Sequence, residues 1–348
     1  MDHLIPNPAF YNIPFELKNY KEMPYRSLGR SGLKVSNVGL GTWKMGYPET
    51  GDSSRIDAKK SLAILDKSLD LGVTFWDTAN RYNNASGNSE RIIGSWFKDN
   101  PTQRRNVVLA TKLSGGMDGL TPNHSGLSRG NIMESVYASL KRLQTDQIDL
   151  LYFHSFDPST PVEESLMAIE DIVKQDLVRY FAVSNFTVEQ LKAYQVYEEK
   201  LSCRSRIVAV QNQFDILNGE DAKYEGVMKL AEKTGVSFVA WSPIAKGLLT
   251  EKYLNPKVAG SGDRLFDEGI MNQAIDEHIM RKLHKLADIA AELNISISQL
   301  VIAYMLTLPA MGPVIPSSST VEQLEMNAKA GSLILSDDLR QSVVECLG

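Results

Sequence analysis

The chain has 348 residues, of which 43% are hydrophobic and 23% charged, the balance of an ordinary globular protein. The formal net charge of -5 is spread along the sequence, so no basic block predicts binding to nucleic acid. The longest strictly apolar run, 300–306, is far shorter than the roughly 20 residues of a membrane-spanning helix. Only Cys203 and Cys346 are present, too few for a disulfide framework, and we expect a cytoplasmic protein without a membrane partner.

Short β-branched or apolar runs recur along the chain, and each predicts a β-strand. They are VSNVGLG from 35, VTFWD from 73, NVVLATK from 106, IDLLYFH from 148, VRYFAVSN from 178, RIVAVQNQ from 206, VSFVAWS from 236 and GPVIPSS from 312. Amphipathic segments such as VEESLMAIEDIVKQ alternate with these runs and predict helices. Eight strand-helix repeats indicate an α/β protein of the (β/α)8 TIM barrel type, with an open doubly wound sheet as the alternative.

Two segments fall outside this repeat. MPYRSLGRSGLKVS has a GRSG turn between extended pieces and predicts an N-terminal β-hairpin that closes the barrel floor. The gap before the last strand is about twice as long as the others, and we interpret it as a long insertion over the barrel mouth at 247–270, followed by helices at 273–292 and 296–308. No linker divides the chain, so we expect a single domain over 1–348, with its core at about 25–330.

Polar residues stand at the ends of six predicted strands. Active sites of parallel barrels lie at the C-terminal ends of their strands, so we expect these side chains to converge on one rim. They are Asp77, Lys112, His154, Asn185, Gln211 and Ser242.

Four residues near this rim form a chemically complete set. Tyr82 is a candidate proton donor, Lys112 a cation that would lower its pKa, and Asp77 a carboxylate that would hold the lysine. His154 could hydrogen-bond and orient a substrate oxygen. Taken singly, each has an ordinary explanation: a helix cap, a packed ring, a solvated charge and a structural histidine. The five histidines form no HxH or HExxH arrangement, so we expect no metal.

Six segments, in order, resemble the signature segments of the aldo-keto reductases. They are FWDTANRY, VVLATKLSG, DLLYFHSFDPSTPVEESL, VRYFAVSNFT, VQNQFDILN and WSPIAKGLLTEKY, and the similarity runs from about Tyr25 to Asn327. The resemblance implies an NAD(P)(H)-dependent oxidoreductase that reduces an aldehyde or ketone, or runs the reverse reaction, with Asp77, Tyr82, Lys112 and His154 as catalytic residues. Some similar barrels are instead nicotinamide-sensing regulatory subunits of ion channels with slow turnover, and this is the alternative.

The resemblance also implies a nicotinamide cofactor that lies extended across the barrel mouth. Ser184, Asn185 and Gln211 would hydrogen-bond its carboxamide, and Trp241 would stack on its ring. The residues expected along the rest of the cofactor are Gly41, Thr42, Trp43, Ser242, Pro243, Ile244, Gly247, Leu248, Ser317, Ser318, Gln323 and Asn327.

The choice between NADP(H) and NAD(H) depends on the adenosine end of this cofactor. One branch of the family has lysine and arginine where this chain has Ser317 and Gln323. A 2′-phosphate usually has a cationic partner, for which Lys252 and Arg264 in the predicted insertion are the candidates. We therefore expect NADP(H), with NAD(H) as the alternative.

The stretch NNASGNSERIIG after Tyr82 is longer than the common form of this loop. The carboxamides of Asn83, Asn84 and Asn88 suit substrate hydroxyls, which favours a small sugar aldehyde among carbonyl substrates. Trp43 and Phe156 could form an aromatic wall, with ordinary packing as the alternative. The expected substrate contacts are Trp43, Tyr82, Asn83, His154 and Phe156. Nothing in the sequence indicates the oligomeric state.

Overall fold

The computed structural model describes residue 8, residues 11–255 and residues 259–348. Its strands are β1 (Asn19–Tyr20), β2 (Met23–Ser27), β3 (Lys34–Ser36), β4 (Leu40–Gly41), β5 (Phe75–Asp77), β6 (Val108–Leu113), β7 (Ile148–Phe153), β8 (Val178–Ser184), β9 (Ile207–Asp215), β10 (Gly219–Glu220), β11 (Ser237–Trp241) and β12 (Met311–Ile315).

The helices alternate with the strands. They are α1 (Ala58–Asp70), α2 (Tyr82–Ala85), α3 (Asn88–Asp99), α4 (Arg129–Leu143), α5 (Val162–Lys174), α6 (Val188–Lys200), α7 (Val227–Thr234), α8 (Arg264–Asp267), α9 (Met271–Ala274), α10 (Glu277–Glu292), α11 (Ile297–Met305), α12 (Val321–Ala330) and α13 (Asp337–Leu347). Several begin at side-chain caps that the sequence encodes locally; Thr187 and Ser296 each form a capping box, at α6 and α11.

Eight parallel strands form a nearly closed barrel in the order β4-β5-β6-β7-β8-β9-β11-β12. Backbone hydrogen bonds join the two ends of this sheet: the Gly39 N–H donates to the Val314 carbonyl at 2.9 Å, and the Gly41 N–H to the Pro316 carbonyl at 3.1 Å. The predicted TIM barrel is confirmed, and the open doubly wound sheet is excluded. The central strands are apolar on both faces, because one face fills the barrel and the other packs against helices.

The first predicted strand, VSNVGLG, is divided between two sheets. Its beginning is β3 in the floor sheet, and its end is β4 in the barrel. Gly39 stands between them, where an added Cβ would lie 2.7 Å from side-chain atoms of both Phe75 and Ile315. A glycine is therefore needed where the chain enters the barrel.

The barrel floor is covered by the antiparallel sheet β1-β2-β3. The predicted hairpin is confirmed as β2 and β3, and the two residues of β1 extend it. Leu28 and Val35 are fully buried against inner barrel residues. Arg26 donates hydrogen bonds to the carbonyls of Met311 at 2.8 Å and Leu306 at 3.3 Å, which ties the hairpin to the base of the last repeat.

The long insertion between β11 and β12 is also confirmed. It contains α8, α9 and the two longer helices predicted at its end, α10 and α11. The side chain of Asp276 accepts from the Ile279 N–H at 2.8 Å and so sets the start of α10. Within the described ranges, no single helix has the length and apolar character to cross a membrane, although the bent pair α10 and α11 passes that test by length and composition alone.

Candidate active site

A cavity of about 560 Å³ opens at the C-terminal ends of the barrel strands. The residues that line it include Asp77, Tyr82, His154, Gln323 and Asn327. Its volume lies within the range of sites that bind small molecules and cofactors. Of the six polar residues predicted to converge on one rim, Asp77, His154, Asn185, Gln211 and Ser242 line this cavity. The sixth, Lys112, is buried and does not line it.

Lys112 is the centre of a buried polar cluster. Its Nζ atom forms an ion pair with Asp77 and donates hydrogen bonds to the Tyr82 Oη at 2.8 Å and the Thr78 carbonyl at 3.0 Å. A lysine ammonium has three N–H donors, so each has one partner here. Gln211 Nε2 donates to the other carboxylate oxygen of Asp77 at 2.8 Å. The ammonium group is thus held in one orientation beside the tyrosine hydroxyl.

The ionisation of Tyr82 differs from the sequence-based expectation. Burial raises the pKa of Tyr82 well above its ordinary value, and the negative charge of Asp77 raises it further. Burial also lowers the pKa of Lys112, although Asp77 opposes this shift. The pKa of Tyr82 is thus raised although Lys112 Nζ lies 2.8 Å from its hydroxyl oxygen. The resting hydroxyl is protonated.

His154 packs edge-on against Tyr82, with ring centroids 5.8 Å apart and an interplanar angle of 77°. Burial lowers the pKa of His154 to about 3, with additional repulsion from Lys112 and Arg81. The imidazole is therefore neutral near pH 7 and carries one N–H donor and one acceptor nitrogen.

A chain of hydrogen bonds lies beside these residues. Trp241 Nε1 donates to Asn185 Oδ1 at 3.2 Å, and Asn185 Nδ2 donates to the His154 carbonyl at 2.8 Å. Ser184 Oγ donates to the Gln211 carbonyl at 2.8 Å. The four residues expected around a nicotinamide are thus brought together along the cavity wall.

The segment after β11 has the features of a ligand-binding loop. Ser242, Pro243, Ile244 and Gly247 line the cavity, and Ser242 Oγ is buried without a hydrogen-bond partner among the described residues. Ser242 and Lys246 have left-handed backbone conformations, with φ of 60° and 59°. Strained backbone and an orphaned hydroxyl at a cavity wall fit a polar ligand such as the cofactor pyrophosphate.

The same cavity is lined by further residues expected along the cofactor, including those predicted at its adenosine end. They are Gly41, Trp43, Lys252, Arg264, Ser317, Gln323 and Asn327. Lys252 forms an ion pair with Asp263, and Arg264 Nε lies 2.6 Å from Glu268 Oε1. Sequence reasoning missed Lys44, which also lines the cavity; its position directly after Trp43 was the only signal.

Three expected cofactor contacts lie outside the cavity lining. Thr42 is buried, and its hydroxyl donates to the Asp77 carbonyl at 2.9 Å. Leu248 is buried in the apolar core. Ser318 is buried and accepts a hydrogen bond from Asn327 Nδ2 at 3.2 Å. These side chains support residues of the wall.

Some of the expected substrate contacts line the cavity and others do not. Trp43, Tyr82 and His154 line the cavity, whereas Phe156 packs edge-on against Phe186 at 5.7 Å. The asparagine side chains after Tyr82 hold the segment 45–53: Asn83 donates to the Met45 carbonyl at 2.6 Å, Asn84 to Ser53 Oγ at 2.6 Å and Asn88 to Asp52 Oδ2 at 2.8 Å.

The turn that contains these asparagines is unusual. Asn83, Asn84 and Ala85 are all left-handed, with φ of 56°, 57° and 59°. Consecutive left-handed residues other than glycine are uncommon, and asparagine tolerates them best. Their carboxamide contacts with segment 45–53 stabilise a turn that begins at Tyr82.

Among the described residues, no group of three or more histidine, cysteine, aspartate or glutamate side chains could hold a metal ion. The site combines a tyrosine hydroxyl of raised pKa, a lysine held in a buried ion pair and a histidine of lowered pKa.

The sequence was compared with protein families and with individual known proteins. Residues 37–347 match the aldo/keto reductase family. The chain is 36% identical over 324 residues to the "Uncharacterized oxidoreductase YrpG" of Bacillus subtilis (strain 168), covering 91% of this chain and 94% of the relative. It is 34% identical over 339 residues to the "Aldo-keto reductase AMT2" of Alternaria alternata, covering 90% and 89%.

A third relative carries a different description. The chain is 32% identical over 314 residues to the "Probable voltage-gated potassium channel subunit beta" of Oryza sativa subsp. japonica, covering 90% of this chain and 92% of the relative. The family match spans nearly the whole barrel, and the site residues lie within it. The chain belongs to the aldo/keto reductase family of NAD(P)H-dependent oxidoreductases.

Proposed function

We propose that the chain reduces a small aldehyde or ketone to the alcohol, or oxidises the alcohol in the reverse direction, with Tyr82 as the general acid and base. The observation that carries this proposal is the placement of the Tyr82 hydroxyl at the cavity, 2.8 Å from an ammonium group whose three donors all have partners. A bound nicotinamide would supply or accept the hydride.

Reduction requires a proton at the carbonyl oxygen, and Tyr82 is in the right state to provide it. Its raised pKa keeps the hydroxyl protonated before the reaction. The proton would pass from Tyr82 Oη to the substrate oxygen, and the phenolate left behind would be stabilised by Lys112. Asp77 and Gln211 hold Lys112 in place for this role. In alcohol oxidation, the proton would move in the opposite direction.

His154 would orient the substrate oxygen beside the tyrosine hydroxyl. Its low pKa keeps the ring neutral, so its N–H is a donor that carries no positive charge into the site. Trp43 and Trp241 provide flat apolar surfaces on the same cavity.

The geometry supports a cofactor more strongly than it supports a sugar substrate. The orphaned Ser242 hydroxyl, the left-handed loop and the Trp241 ring suit an extended dinucleotide, for which we propose NADP(H) with NAD(H) as the alternative. The asparagine carboxamides expected to bind substrate hydroxyls are engaged with segment 45–53. We therefore propose small carbonyl compounds in general. Free, buried Cys203 and Cys346 agree with a reducing cytoplasm.

The test is the change in nicotinamide absorbance with purified protein, NADPH or NADH, and a panel of aldehydes and ketones. We expect turnover, and a loss of about 10²- to 10⁴-fold in kcat for Tyr82→Phe with cofactor affinity retained. Tyr137→Phe removes the same hydroxyl from an exposed position on α4 and should leave turnover unchanged. Equal rates in wild type and Tyr82→Phe would contradict the assigned role of Tyr82.

A second candidate function is that of a nicotinamide-binding regulatory subunit of an ion channel. It is favoured by the similarity to the rice protein described as a potassium channel subunit beta. This function predicts tight cofactor binding with very slow turnover across the whole panel. Binding of neither nicotinamide would contradict both candidates.

A further inference from the structure

Three fully buried hydroxyl groups lie together next to the end of β5. They belong to Thr42, which follows β4, to Thr78, which follows β5, and to Ser89 in the first turn of α3. Ser89 Oγ lies 2.8 Å from Thr42 Oγ1 and 2.9 Å from Thr78 Oγ1. None of the three side chains lines the cavity. Ser89 is therefore the central member of a polar cluster that lies outside the site itself.

The direction of the hydrogen bonds in this cluster follows from the single proton that each hydroxyl can donate. Thr42 Oγ1 donates its proton to the Asp77 carbonyl at 2.9 Å. Ser89 Oγ donates to Thr42, whose hydroxyl and carbonyl oxygens lie 2.8 and 3.0 Å away. Thr78 Oγ1 in turn donates to Ser89 Oγ. The three residues form a hydroxyl chain that begins at Thr78, passes through Ser89 and Thr42, and ends at Asp77.

The hydroxyl chain begins and ends on the two residues that hold Lys112. The carboxylate of Asp77 forms an ion pair with Lys112 Nζ, and the Thr78 carbonyl accepts from the same atom at 3.0 Å. The third partner of Lys112 Nζ is Tyr82 Oη at 2.8 Å. A shift of the backbone at 77–78 would therefore displace two of the three acceptors that orient the ammonium group.

The next residue of α3 fixes Ser89 in place. Glu90 is fully buried, and its carboxylate accepts hydrogen bonds from Arg142 Nε of α4 and from Thr111 Oγ1 of β6, both at 2.6 Å. Thr111 directly precedes Lys112 on β6. The first turn of α3 is thus bonded both to the end of β5 and to β6. Buried polar groups resist displacement, because a shift would leave one of them without a partner.

We propose that Ser89 is a positioning residue for the reaction: it fixes the end of β5 and thereby the place of the Lys112 ammonium beside Tyr82. The inference rests on the proposed function, since it assumes that Lys112 stabilises the Tyr82 phenolate. Loss of the Ser89 hydroxyl leaves Thr78 Oγ1 buried without its acceptor, so segment 77–78 rearranges to pair it. The proton transfer then suffers, whereas the residues that line the cavity for cofactor and substrate are unchanged.

The experiment measures kcat and KM in both directions for wild type, Ser89→Ala and Thr78→Val. We expect Ser89→Ala to lower kcat by about 10- to 100-fold, with KM values within about twofold of wild type. Thr78→Val breaks the hydroxyl chain at its other end and carries the same test if Ser89→Ala does not fold. The double variant should lose no more than either single variant, because both substitutions break one chain.

Ser165→Ala is the matched control. It removes an equally buried serine hydroxyl from α5, where Ser165 Oγ donates to the Leu127 carbonyl at 2.8 Å. Its kcat should equal that of wild type. A loss in Ser165→Ala as large as that in Ser89→Ala would overturn the inference, because any buried serine would then have the same effect.

The pH profile of alcohol oxidation separates positioning from a general loss of structure. In this direction Tyr82 must first lose its proton, and a displaced Lys112 stabilises the phenolate less. In Ser89→Ala we therefore expect the rise of kcat with pH to move upward by about 1 pH unit, which corresponds to a tenfold loss of that stabilisation. Unchanged kcat, or a lower kcat with the wild-type pH profile, would overturn the inference and leave the proposed function intact. Absence of turnover in wild type across the whole panel would overturn both.

Discussion

The two sides of the barrel mouth are constructed differently. On the strand side, defined by Asp77, Lys112 and Gln211, each polar group is buried and belongs to a barrel strand: Asp77 ends β5, Lys112 is next to the end of β6, and Gln211 is in the middle of β9. On the loop side, defined by segments 43–56 and 246–268, charged groups come from loops and short helices. The side chains of the strand-side pair Lys112 and Asp77 are 1% and 3% exposed, whereas those of the loop-side pair Arg55 and Asp267 are 24% and 32% exposed.

On the loop side, two arginine side chains pack against the ring of Trp43. The guanidinium groups of Arg264 and Arg55 lie 4.5 and 5.7 Å from the centroid of Trp43. Arg55 also pairs with Asp267 at 3.1 Å, which joins segment 43–56 to α8. These contacts are partly in water and can part at low cost.

The difference in burial between the two sides agrees with the roles that the proposed function gives them. On the proposed function, proton transfer would require fixed distances, which buried residues of the strands provide because every neighbour constrains them. Entry of the proposed cofactor would require a wall that can open, and partly exposed ion pairs would allow this. We therefore expect substitutions on the strand side to lower stability strongly and independently of salt, and those on the loop side to lower it slightly and in a salt-dependent way.

The largest expected effect on stability is that of Lys112→Met. The substitution leaves the carboxylate of Asp77 buried without its cation, and we expect the free energy of unfolding to fall by about 3–5 kcal/mol. Equilibrium urea unfolding near pH 7 measures it. The double variant Lys112→Met with Asp77→Asn removes both charges and should recover much of the loss. If Lys112→Met lowered the free energy of unfolding by less than about 1 kcal/mol, the buried pair would contribute no more to stability than a surface ion pair.

Much of the strand side could be predicted from the sequence. Apolar runs that end in Asp77, Lys112 and His154 place those residues at one rim, since parallel strands point the same way in a barrel. The protonation states could not be predicted this way. They depend on burial, which raises the pKa of Tyr82 and lowers that of His154, and burial follows from packing in three dimensions.

The loop side was less predictable for a related reason. Lys44 and Ser319 are 275 residues apart in sequence, and no local pattern indicates their contact. Asn83 and Asn84 are polar and follow Tyr82, which suggested substrate contacts, but their side chains point to segment 45–53. Residue type identified polar loops, whereas the partners of those side chains depend on how two distant loops pack.

An effect of intermediate size is expected from His154: it should make the free energy of unfolding depend on pH. Its folded pKa of about 3 lies below its ordinary value of 6.5. Between these values the unfolded chain binds a proton that the folded chain does not, so the free energy of unfolding falls as the pH falls from about 6.5. For this one group, the loss reaches about 2 kcal/mol at about pH 5.

Urea unfolding at pH 7 and pH 5 tests this expectation. His154→Gln keeps a polar side chain without the titration, so its stability should fall less between the two pH values than that of wild type. His124→Gln is the matched control, because His124 is partly exposed beside Glu134 at 3.1 Å. If His154→Gln and wild type lost equal stability on acidification, the imidazole would not be held neutral by burial.

The smallest effect is expected on the loop side, for Arg55→Gln. The pair with Asp267 is partly exposed, so its loss should lower the free energy of unfolding by at most about 1 kcal/mol. The difference from wild type should shrink further in 1 M salt, where charges are screened within about 3 Å. Unfolding measured at low and high salt for both proteins provides the comparison, with Lys112→Met as the buried reference. A loss at Arg55 as large as that at Lys112, unchanged by salt, would mean that the loop side is as rigid as the strand side. The cofactor would then have to enter by a movement other than the parting of these ion pairs.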